Sequence, residues 1–271
     1  MVQAILMKWP KRFSGFWGMF DMVRLKSPEE IGKIEVAAKI VAEVLFTLSE
    51  YASVGATAYD MERVATELIA KKGGTPAFKG YGGYPYTLCV SVNEEVIHGF
   101  PLKEKVFEAG DIVSIDCGVV KDGYYGDAAK TFVVGEFLNE KDRLLLLKTE
   151  ESLYEGIRMA VAGNRLGDIG NAVQTCVESA GFSVIRDYVG HGVGTSLHED
   201  PQVANYGRKG SGMLLRVGMT LAIEPMVASG HYDVELLEDG WTAVTADGSR
   251  AAHFEHDIAI MEDGPRILSR L

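Results

Sequence analysis

The chain has 271 residues, of which 47% are hydrophobic, and a formal net charge of −11 at pH 7. This length and apolar content are enough for one large domain with a substantial core. The acidic residues are spread along the chain, which argues against a DNA-binding protein with a basic face, and no apolar run approaches the ~18 residues that a membrane-spanning helix needs.

The first 21 residues differ in texture from the rest, because aromatic residues are mixed there with lysine and arginine. Their apolar stretches are too short for a convincing signal peptide. We interpret residues 1–21 as an N-terminal extension, either disordered or added by a misassigned start, and residues 22–271 as a single domain. Ser27, Pro28 and Glu30 form a capping box with proline in the first turn, which predicts the start of the first helix.

Two long stretches of the sequence repeat with a constant offset of 108 residues, so that Asp116, for example, corresponds to Glu224. Residues 106–116 match residues 214–224 in their apolar and glycine positions. The same offset relates three further pairs, Gly55 and Gly163, Asp60 and Asp168, and Gly73 and Gly181. Between these points both copies show apolar spacings of three and four, typical of an amphipathic helix ended by glycine. The repeat predicts two pseudo-symmetric halves, about 22–135 and 136–262, each with two helices followed by strands.

A β-hairpin is predicted in the first half. Residues 112–120 and 131–134 are apolar and β-branched, and Asp122-Gly123 is a strong two-residue turn. If this turn sets the register, Gly118 faces Asp127, and Asp116 lies on the same face as Asp127 because side chains alternate along a strand. The two acids would then be diagonal neighbours, roughly 7 Å apart at the backbone. A slip of one residue would separate them.

The second half offers matching polar residues. Residues 254–261 are predicted to form a terminal strand, in which Glu255 would correspond to Asp127. His191 lies between glycines in residues 190–194, where the backbone can pass close to a bound group. No Lys-Ser/Thr follows these glycines, so they do not form a phosphate-binding loop.

Five side chains of the two halves form a candidate metal-binding set: Asp116, Asp127, His191, Glu224 and Glu255. Two bare carboxylates ~4 Å apart repel by roughly 4 kcal/mol at an effective dielectric near 20, so four of them need a cation or protons to share a pocket. An acid within an apolar strand, such as Asp116, is costly unless it is paired or ligating. By contrast, His231, His253 and His256 have no motif role, and we interpret them as structural or exposed.

Several stretches together resemble the methionine aminopeptidases, and specifically their short bacterial type I form, from about Ser27 to about Glu262. The stretches are residues 91–99, 116–130, 190–201, 223–225 and 254–256. The resemblance implies the α+β pita-bread fold, a pseudo-twofold repeat with a curved antiparallel sheet backed by two helix pairs. It also implies that metal ions bind on the concave face and that residues 22–271 form a catalytic domain.

The resemblance also implies roles for the metal-binding set. Asp116 would chelate one ion, Asp127 and Glu255 would bridge two, and His191 and Glu224 would complete the ligands of the second. A carboxylate-rich set with one imidazole favours harder divalent ions such as Co, Mn or Fe. Two such ions can activate a shared water and stabilise the oxyanion formed at a peptide carbonyl.

Catalytic and substrate-binding residues are carried over in the same way. Glu224 would accept a proton from the attacking water, while His98 and His198 would contact the substrate amide and the tetrahedral intermediate. An apolar pocket would hold the methionine side chain, and the residues assigned to it are Phe78, Tyr81, Tyr84, Cys89, Leu197 and Trp241. Phe78 and Leu197 differ from the residues of some relatives, which affects the shape of the pocket more than its apolar character. Taken alone, Tyr81 and Tyr84 would more often be packing residues.

Three alternatives compete with this interpretation. A Xaa-Pro aminopeptidase or prolidase has the same fold, but these enzymes usually carry a large additional domain. A non-catalytic relative would typically lose metal ligands, and all five are present here. A two-metal phosphodiesterase also uses acids, but His98, His198 and the aromatic pocket favour a peptide.

We therefore predict an enzyme that removes the initiator methionine from nascent polypeptides when the second residue is small. The expected cofactors are two divalent ions. The expected partners are the N-terminal methionine of the substrate and, transiently, the ribosome, with no DNA and no membrane, and we expect a monomer. Three cysteines in apolar segments without a CxxC pair predict reduced thiols and a cytoplasmic location.

Overall fold

The computed structural model describes residues 23–271, so the interpretation of residues 1–21 lies outside the described residues. The described helices are α1 (Pro28–Tyr51), α2 (Ala58–Lys71), α3 (Glu140–Met159) and α4 (Leu166–Ser179). The described strands are β1 (Thr75–Pro76), β2 (Leu88–Val92), β3 (Glu95–Ile97), β4 (Ile112–Lys121), β5 (Tyr124–Val133), β6 (Ser183–Val184), β7 (Gly190–Gly192), β8 (Glu199–Val203), β9 (Thr220–Ile223), β10 (Met226–Ala228), β11 (Val234–Leu236), β12 (Ala243–Thr245), β13 (Ala251–His253), β14 (His256–Met261) and β15 (Gly264–Ile267).

The strand pairs of the described chain are antiparallel, as the predicted fold class requires. In the first half β1, β4 and β2 lie side by side and β5 pairs with β4, while the second half has the order β15-β14-β9-β7-β8. Two smaller sheets have the orders β13-β10-β6 and β11-β12-β3. The halves meet where β5 runs beside β14, and the Glu255 amide there donates to the Ala129 carbonyl at 3.0 Å.

Helix α1 begins at the predicted capping box. Ser27 Oγ accepts from the Glu30 amide at 3.2 Å, and the Glu30 carboxylate accepts from the Ser27 amide at 2.9 Å. The helix then buries residues at alternating spacings of four and three against β4 and β5, namely Ile34, Ala38, Val41, Leu45 and Leu48. Burial of each of the larger aliphatic side chains stabilises the fold by about 1.5–3 kcal/mol.

The close approach of α1 to the sheet depends on Gly126 of β5. A Cβ at Gly126 would lie 2.2 Å from the amide nitrogen of Ala38 and 2.5 Å from its Cα, so the helix would have to move. We expect Gly126→Ala to lower the free energy of unfolding by about 1–3 kcal/mol, as overpacking of a core does. Urea unfolding of the purified variant measures this change.

The matched control for this prediction is Gly32→Ala in the same helix. Nothing lies within 4 Å of a Cβ at Gly32, so alanine should leave stability unchanged or raise it by up to about 1 kcal/mol. Equal effects of the two substitutions would contradict the proposed helix–sheet clash.

The predicted internal repeat is present in the structure. Helices α2 and α4 begin and end 108 residues apart, at 58 and 166 and at 71 and 179. The bridge between Thr57 and Val106 recurs between Arg165 and Leu214 at the same offset. Hydrogen bonds repeat as well, since Gly55 N donates to the carbonyl of residue 107 at 2.9 Å and Gly163 N to that of residue 215 at 3.1 Å. The pseudo-twofold relation of the predicted fold class is therefore confirmed, while the residue limits of the halves stay a prediction.

The predicted hairpin is confirmed in register. Lys121 pairs with Tyr124 and Gly118 pairs with Asp127. Asp122 and Gly123 have φ values of 50° and 80°, which suit a turn that requires the left-handed region at both positions. Asp116 pairs with Ala129, so it is the diagonal neighbour of Asp127 on one face of the sheet.

The predicted terminal strand differs in two respects. Phe254 and Glu255 lie between β13 and β14, because their amides leave the ladder and donate to the carbonyls of Pro225 at 3.3 Å and Ala129 at 3.0 Å. The strand is also not terminal, since β15 follows and pairs with β14. This break in the ladder places Glu255 between the two halves.

Two other sequence expectations bear on the described residues. Cys89, Cys117 and Cys176 are unpaired thiols, and the first two are buried. Within residues 23–271, no helix has the combined length and apolar character needed to span a bilayer.

Candidate metal centre

The five predicted ligands come from separate elements and meet in one cavity. Asp116 lies on β4, Asp127 on β5 and His191 on β7, while Glu224 follows β9 and Glu255 lies between β13 and β14. The cavity has a volume of about 40 Å³. A water molecule needs at least ~10–15 Å³ of such space, so this volume corresponds to about three or four water molecules. Its lining consists of Phe78, Tyr84, Cys89, His98, Asp116, Asp127, His191, His198, Glu224, Trp241 and Glu255.

The potential ligand atoms lie close together. One atom each from Asp127, His191 and Glu255 fall within 4.8 Å of one another. His191 Nε2 lies 3.5 Å from Glu224 Oε1 and 4.0 Å from Asp127 Oδ2. His191 Nδ1 lies 3.0 Å from the Gly192 carbonyl, which only accepts, so we assign the ring proton to Nδ1. The lone pair of Nε2 then faces the carboxylates, as in metal-binding histidines.

Several buried carboxylate oxygens in the cavity lack protein partners. Asp116 Oδ1, Asp127 Oδ1 and Glu255 Oε1 are inaccessible and accept no hydrogen bond from residues 23–271. Such atoms are costly unless something neutralises and coordinates them. An oxygen-rich donor set with a single imidazole fits hard or borderline divalent ions. The residues present therefore fit a metal centre.

The electrostatics of the cavity agree with this fit. Burial raises the pKa of Asp116 to about 7. Burial, followed by repulsion from neighbouring carboxylates, raises the pKa of Asp127, Glu224 and Glu255 well above their ordinary values. Burial lowers the pKa of His191 to about 4, which keeps its imidazole neutral at pH 7 as metal binding requires.

Hydrogen bonds between side chains and the backbone fix the segments that carry the predicted ligands. The Asn205 side-chain amide donates to the Glu224 carbonyl at 2.9 Å. The Asp127 amide donates to Asp257 Oδ2 at 2.7 Å. Asp257 is fully buried, and the sequence analysis did not single it out. An acid inside the apolar segment 257–261 was the available signal, the same one that pointed to Asp116.

The two predicted catalytic histidines, His98 and His198, line the cavity beside the predicted ligands. His198 Nδ1 lies 2.9 Å from the Tyr81 hydroxyl, and its ring centroid lies 4.3 Å from that of His191. Burial lowers the pKa of His98 to about 4 and that of His198 to about 2. His98 also has a φ of 60°, which is an uncommon value for a residue with a side chain. The backbone is therefore locally strained at a residue that lines the cavity.

The predicted substrate-binding residues form one apolar cluster on the cavity wall. Phe78, Tyr84, Cys89 and Trp241 line the cavity directly, while Tyr81 and Leu197 pack in the same cluster. The Tyr84 and Trp241 rings meet edge to face with centroids 5.2 Å apart. Cys89 pairs with Asp116 across β2 and β4, so the apolar wall joins the acidic centre directly.

A residue of α2 supports this wall and was missed by the sequence analysis. The buried carboxylate of Glu62 accepts from the amides of Thr87 and Leu88 at 2.8 and 2.9 Å. These bonds hold the start of β2, which carries Cys89. A buried glutamate on an amphipathic helix gives no sequence signal of its partner, because the partner is a backbone amide 25 residues away.

The three histidines left without a motif role have different surroundings. His231 is exposed, and His256 Nδ1 lies 2.8 Å from Ser269 Oγ. His253 is buried, and its Nε2 lies 3.7 Å from Glu224 Oε2. Burial lowers the pKa of His253 to about 3. The signal for its placement was its position two residues before Glu255, since alternate residues of an extended chain share a face.

Comparisons with known proteins show the family of this chain. The sequence profile of metallopeptidase family M24 matches residues 32–262. The methionine aminopeptidase of Clostridium acetobutylicum is 50% identical over 248 residues, covering 92% of this chain and 99% of that protein. Methionine aminopeptidase 1 of Bacillus subtilis is 48% identical over 250 residues, covering 92% of this chain and all of that protein.

Solved structures give the same result for the fold. The crystal structure of the Thermotoga maritima methionine aminopeptidase matches with a TM-score of 0.91 and 56% identity, covering 92% of this chain and 100% of that one. The prolidase of Pyrococcus horikoshii matches with a TM-score of 0.74 and 24% identity, and the match covers only 64% of the prolidase chain. At that identity the match shows only that the prolidase and this chain have the same fold.

Proposed function

Because the chain belongs to metallopeptidase family M24, and within it to the methionine aminopeptidases, we propose that it removes the initiator methionine from new polypeptides. The observation that carries this proposal is the junction of two surfaces in one cavity. Four carboxylates and a neutral imidazole form one side, and an aromatic and apolar wall forms the other. A peptide bond held at this junction has its N-terminal side chain against the wall and its carbonyl beside the acids.

The residues that would hold the metal are Asp116, Asp127, His191, Glu224 and Glu255. Their number and their oxygen-rich chemistry suit two divalent ions such as Mn, Fe or Co. When bound, such ions polarise a peptide carbonyl and make water a stronger nucleophile.

The remaining steps belong to side chains of the chain itself. Glu224 lines the cavity with Oε1 near His191, where it can accept the proton of the attacking water. His98 and His198 line the same cavity and are neutral at pH 7, so each can donate a hydrogen bond without carrying a charge. We assign them to the substrate amide and to the developing oxyanion.

The specificity follows from the size and character of the wall. The methionine thioether is flexible and polarisable, which suits contact with the Tyr84 and Trp241 rings. The proposal includes a preference for a small second residue. The proposed substrate has a free N-terminal amine, so any formyl group has to be removed first.

A peptide panel tests the proposed function. The protein supplied with Mn or Co should cleave Met-Ala-Ser and leave Xaa-Pro dipeptides and a nitrophenyl phosphate ester intact. Cleavage of Xaa-Pro peptides at a higher rate than Met-Ala-Ser would assign the chain to prolidase-like specificity. Hydrolysis of the phosphate ester alone would indicate a phosphoesterase, and a diester such as bis-nitrophenyl phosphate identifies a phosphodiesterase. Light scattering of the same preparation tests the proposed monomeric state. Fractionation of the source cells tests the proposed cytoplasmic location, and cosedimentation with ribosomes tests the proposed transient contact.

Trp241 should contribute strongly to substrate binding. Trp241→Ala removes an aromatic wall whose burial against a substrate side chain is worth about 1.5–3 kcal/mol, so kcat/KM for Met-Ala-Ser should fall about 10–100-fold. Steady-state kinetics measure whether KM or kcat carries the loss. Tyr51→Ala, at an exposed aromatic position at the end of α1, is the control and should leave both constants unchanged. Unchanged kinetics in Trp241→Ala would remove Trp241 from the pocket.

A further inference from the structure

His253 occupies an unusual position for a histidine outside the metal-binding set. It is 2% exposed, and its Nε2 makes no hydrogen bond with any residue of the range 23–271. An ionisable group close to that nitrogen is the carboxylate of Glu224, whose Oε2 lies 3.7 Å away. A buried ring nitrogen aimed at a carboxylate oxygen needs that partner, because burial without a hydrogen bond is costly.

The backbone of His253 is held firmly in this place. Its amide donates to Thr131 Oγ1 at 3.0 Å, and the Thr131 hydroxyl donates back to the His253 carbonyl at 2.5 Å. His253 also pairs with Met226 between β13 and β10, two residues beyond Glu224. The two side chains are therefore presented by neighbouring segments whose separation is set by sheet pairing.

The carboxylate of Glu224 lies between two imidazoles. Oε1 is 3.5 Å from His191 Nε2, and Oε2 is 3.7 Å from His253 Nε2. His191 lines the cavity, whereas His253 is not among the cavity-lining residues and lies behind Glu224. The cavity side of the carboxylate is thus left for a ligand, and the rear side faces a potential donor.

We propose that His253 is a positioning residue that donates from Nε2 to Glu224 Oε2 and holds Oε1 of that carboxylate toward His191 and the cavity. The inference rests on the proposed function, because the residue that His253 would position, Glu224, is the one proposed as both metal ligand and proton acceptor. A carboxylate oxygen only accepts, so the ring proton belongs on Nε2. The present separation exceeds hydrogen-bond length by about 0.5 Å, and we infer that the contact closes when a cation draws the carboxylates together, as active-site contacts tighten in functional complexes.

Binding of Co²⁺ to the metal-free protein tests this assignment without reference to catalysis. His253→Leu keeps the volume and removes the donor, whereas His253→Gln keeps an N–H donor. Loss of an outer hydrogen bond to a ligand typically weakens metal affinity 10–100-fold. Calorimetric titration should show this loss for one of two Co²⁺ ions in His253→Leu, together with a changed visible absorption spectrum. In His253→Gln the affinity should return to within about threefold of wild type, and the spectrum should match that of wild type.

A matched control separates this role from general destabilisation. His256→Leu also removes a largely buried imidazole with a hydrogen bond, that to Ser269, but at a position outside the cavity lining. It should leave both Co²⁺ affinities unchanged. Thermal unfolding of the variants shows whether any loss of affinity follows stability instead.

The outcomes distinguish the inference from the proposed function. Unchanged Co²⁺ affinity and spectrum in His253→Leu would overturn the inference, and so would equal losses in His253→Gln and His253→Leu. A crystal structure of the Co²⁺-loaded protein should show the Nε2–Oε2 distance within 3.2 Å, the upper end of the usual range of about 2.7–3.2 Å, and a direct His253–Co²⁺ bond there would also overturn it. Wild-type protein that binds Co²⁺ but cleaves no peptide overturns the proposed function, while the comparison of Co²⁺ affinities still decides the role of His253.

Discussion

Removal of metal with a chelator should abolish cleavage of Met-Ala-Ser, and addition of Mn, Fe or Co should restore it. The reason is the donor set of the cavity, in which buried oxygens of Asp116, Asp127 and Glu255 have no protein partner among residues 23–271. Without a cation neither the water nor the peptide carbonyl is activated, and a loss of ~4 kcal/mol of transition-state stabilisation already slows a reaction about 10³-fold.

The measurement is peptide cleavage by one preparation before chelation, after dialysis and after stepwise return of each ion. Metal analysis of protein purified without added metal identifies the ion it carries and the number of ions per chain. Activity that is indifferent to chelation, in protein shown to be free of metal, would refute the metal-dependent mechanism.

Substitution of Asp127 by asparagine should have an effect of similar size on activity. Asp127→Asn keeps the shape of the side chain and the backbone amide that donates to Asp257 Oδ2. It removes the negative charge of the carboxylate that is proposed to bridge two ions. We expect kcat/KM to fall at least ~10³-fold, because a ligand shared by both ions is lost. Kinetics with saturating Mn or Co distinguish weakened metal binding from weakened catalysis.

The control is Asp122→Asn in the turn of the same hairpin. Asp122 is exposed at φ 50°, a conformation that asparagine also tolerates. Its activity should match that of the wild type. If Asp127→Asn retained wild-type kinetics, the assignment of Asp127 as a ligand would be wrong.

The same carboxylates predict how stability depends on pH in the chelated protein. Burial raises the pKa of Asp116 from an ordinary value of 3.8 to about 7, so the folded state binds more protons than the unfolded state between these values. Stability of the metal-free protein should therefore fall as pH rises from about 4 to about 7. Asp127→Asn should reduce this dependence because it removes one of the mutually repelling acids, and added metal should reverse it.

Much of this site could be predicted from the sequence because its signals are local. The Asp122-Gly123 turn requires positive φ at both positions, which fixed the register and with it the shared face of Asp116 and Asp127. The offset of 108 residues predicted matching helices and matching backbone hydrogen bonds in the two halves. The capping box at Ser27 likewise depends on residues three positions apart.

Local pattern gave no account of contacts between distant segments. The amide of Asp127 meets the carboxylate of Asp257 across 130 positions of the chain. His253 reaches Glu224 only because β13 pairs with β10, and Glu62 finds its amide partners only when α2 packs beside β2. The predicted terminal strand was interrupted at Glu255 for the same reason, since its amide pairs with the other half of the molecule.

The repeat, the cap of the first helix and the hairpin register follow from local sequence patterns, and the same patterns predicted the five residues of the metal-binding set. The partners of three buried groups follow from the tertiary structure: His253 lies beside Glu224, Asp257 accepts from the Asp127 amide, and Glu62 accepts from amides at the start of β2. The physical reason is that turns, caps and strand alternation depend on the backbone of a few consecutive residues. The partner of a buried polar group depends instead on how sheets and helices of the two halves pack together.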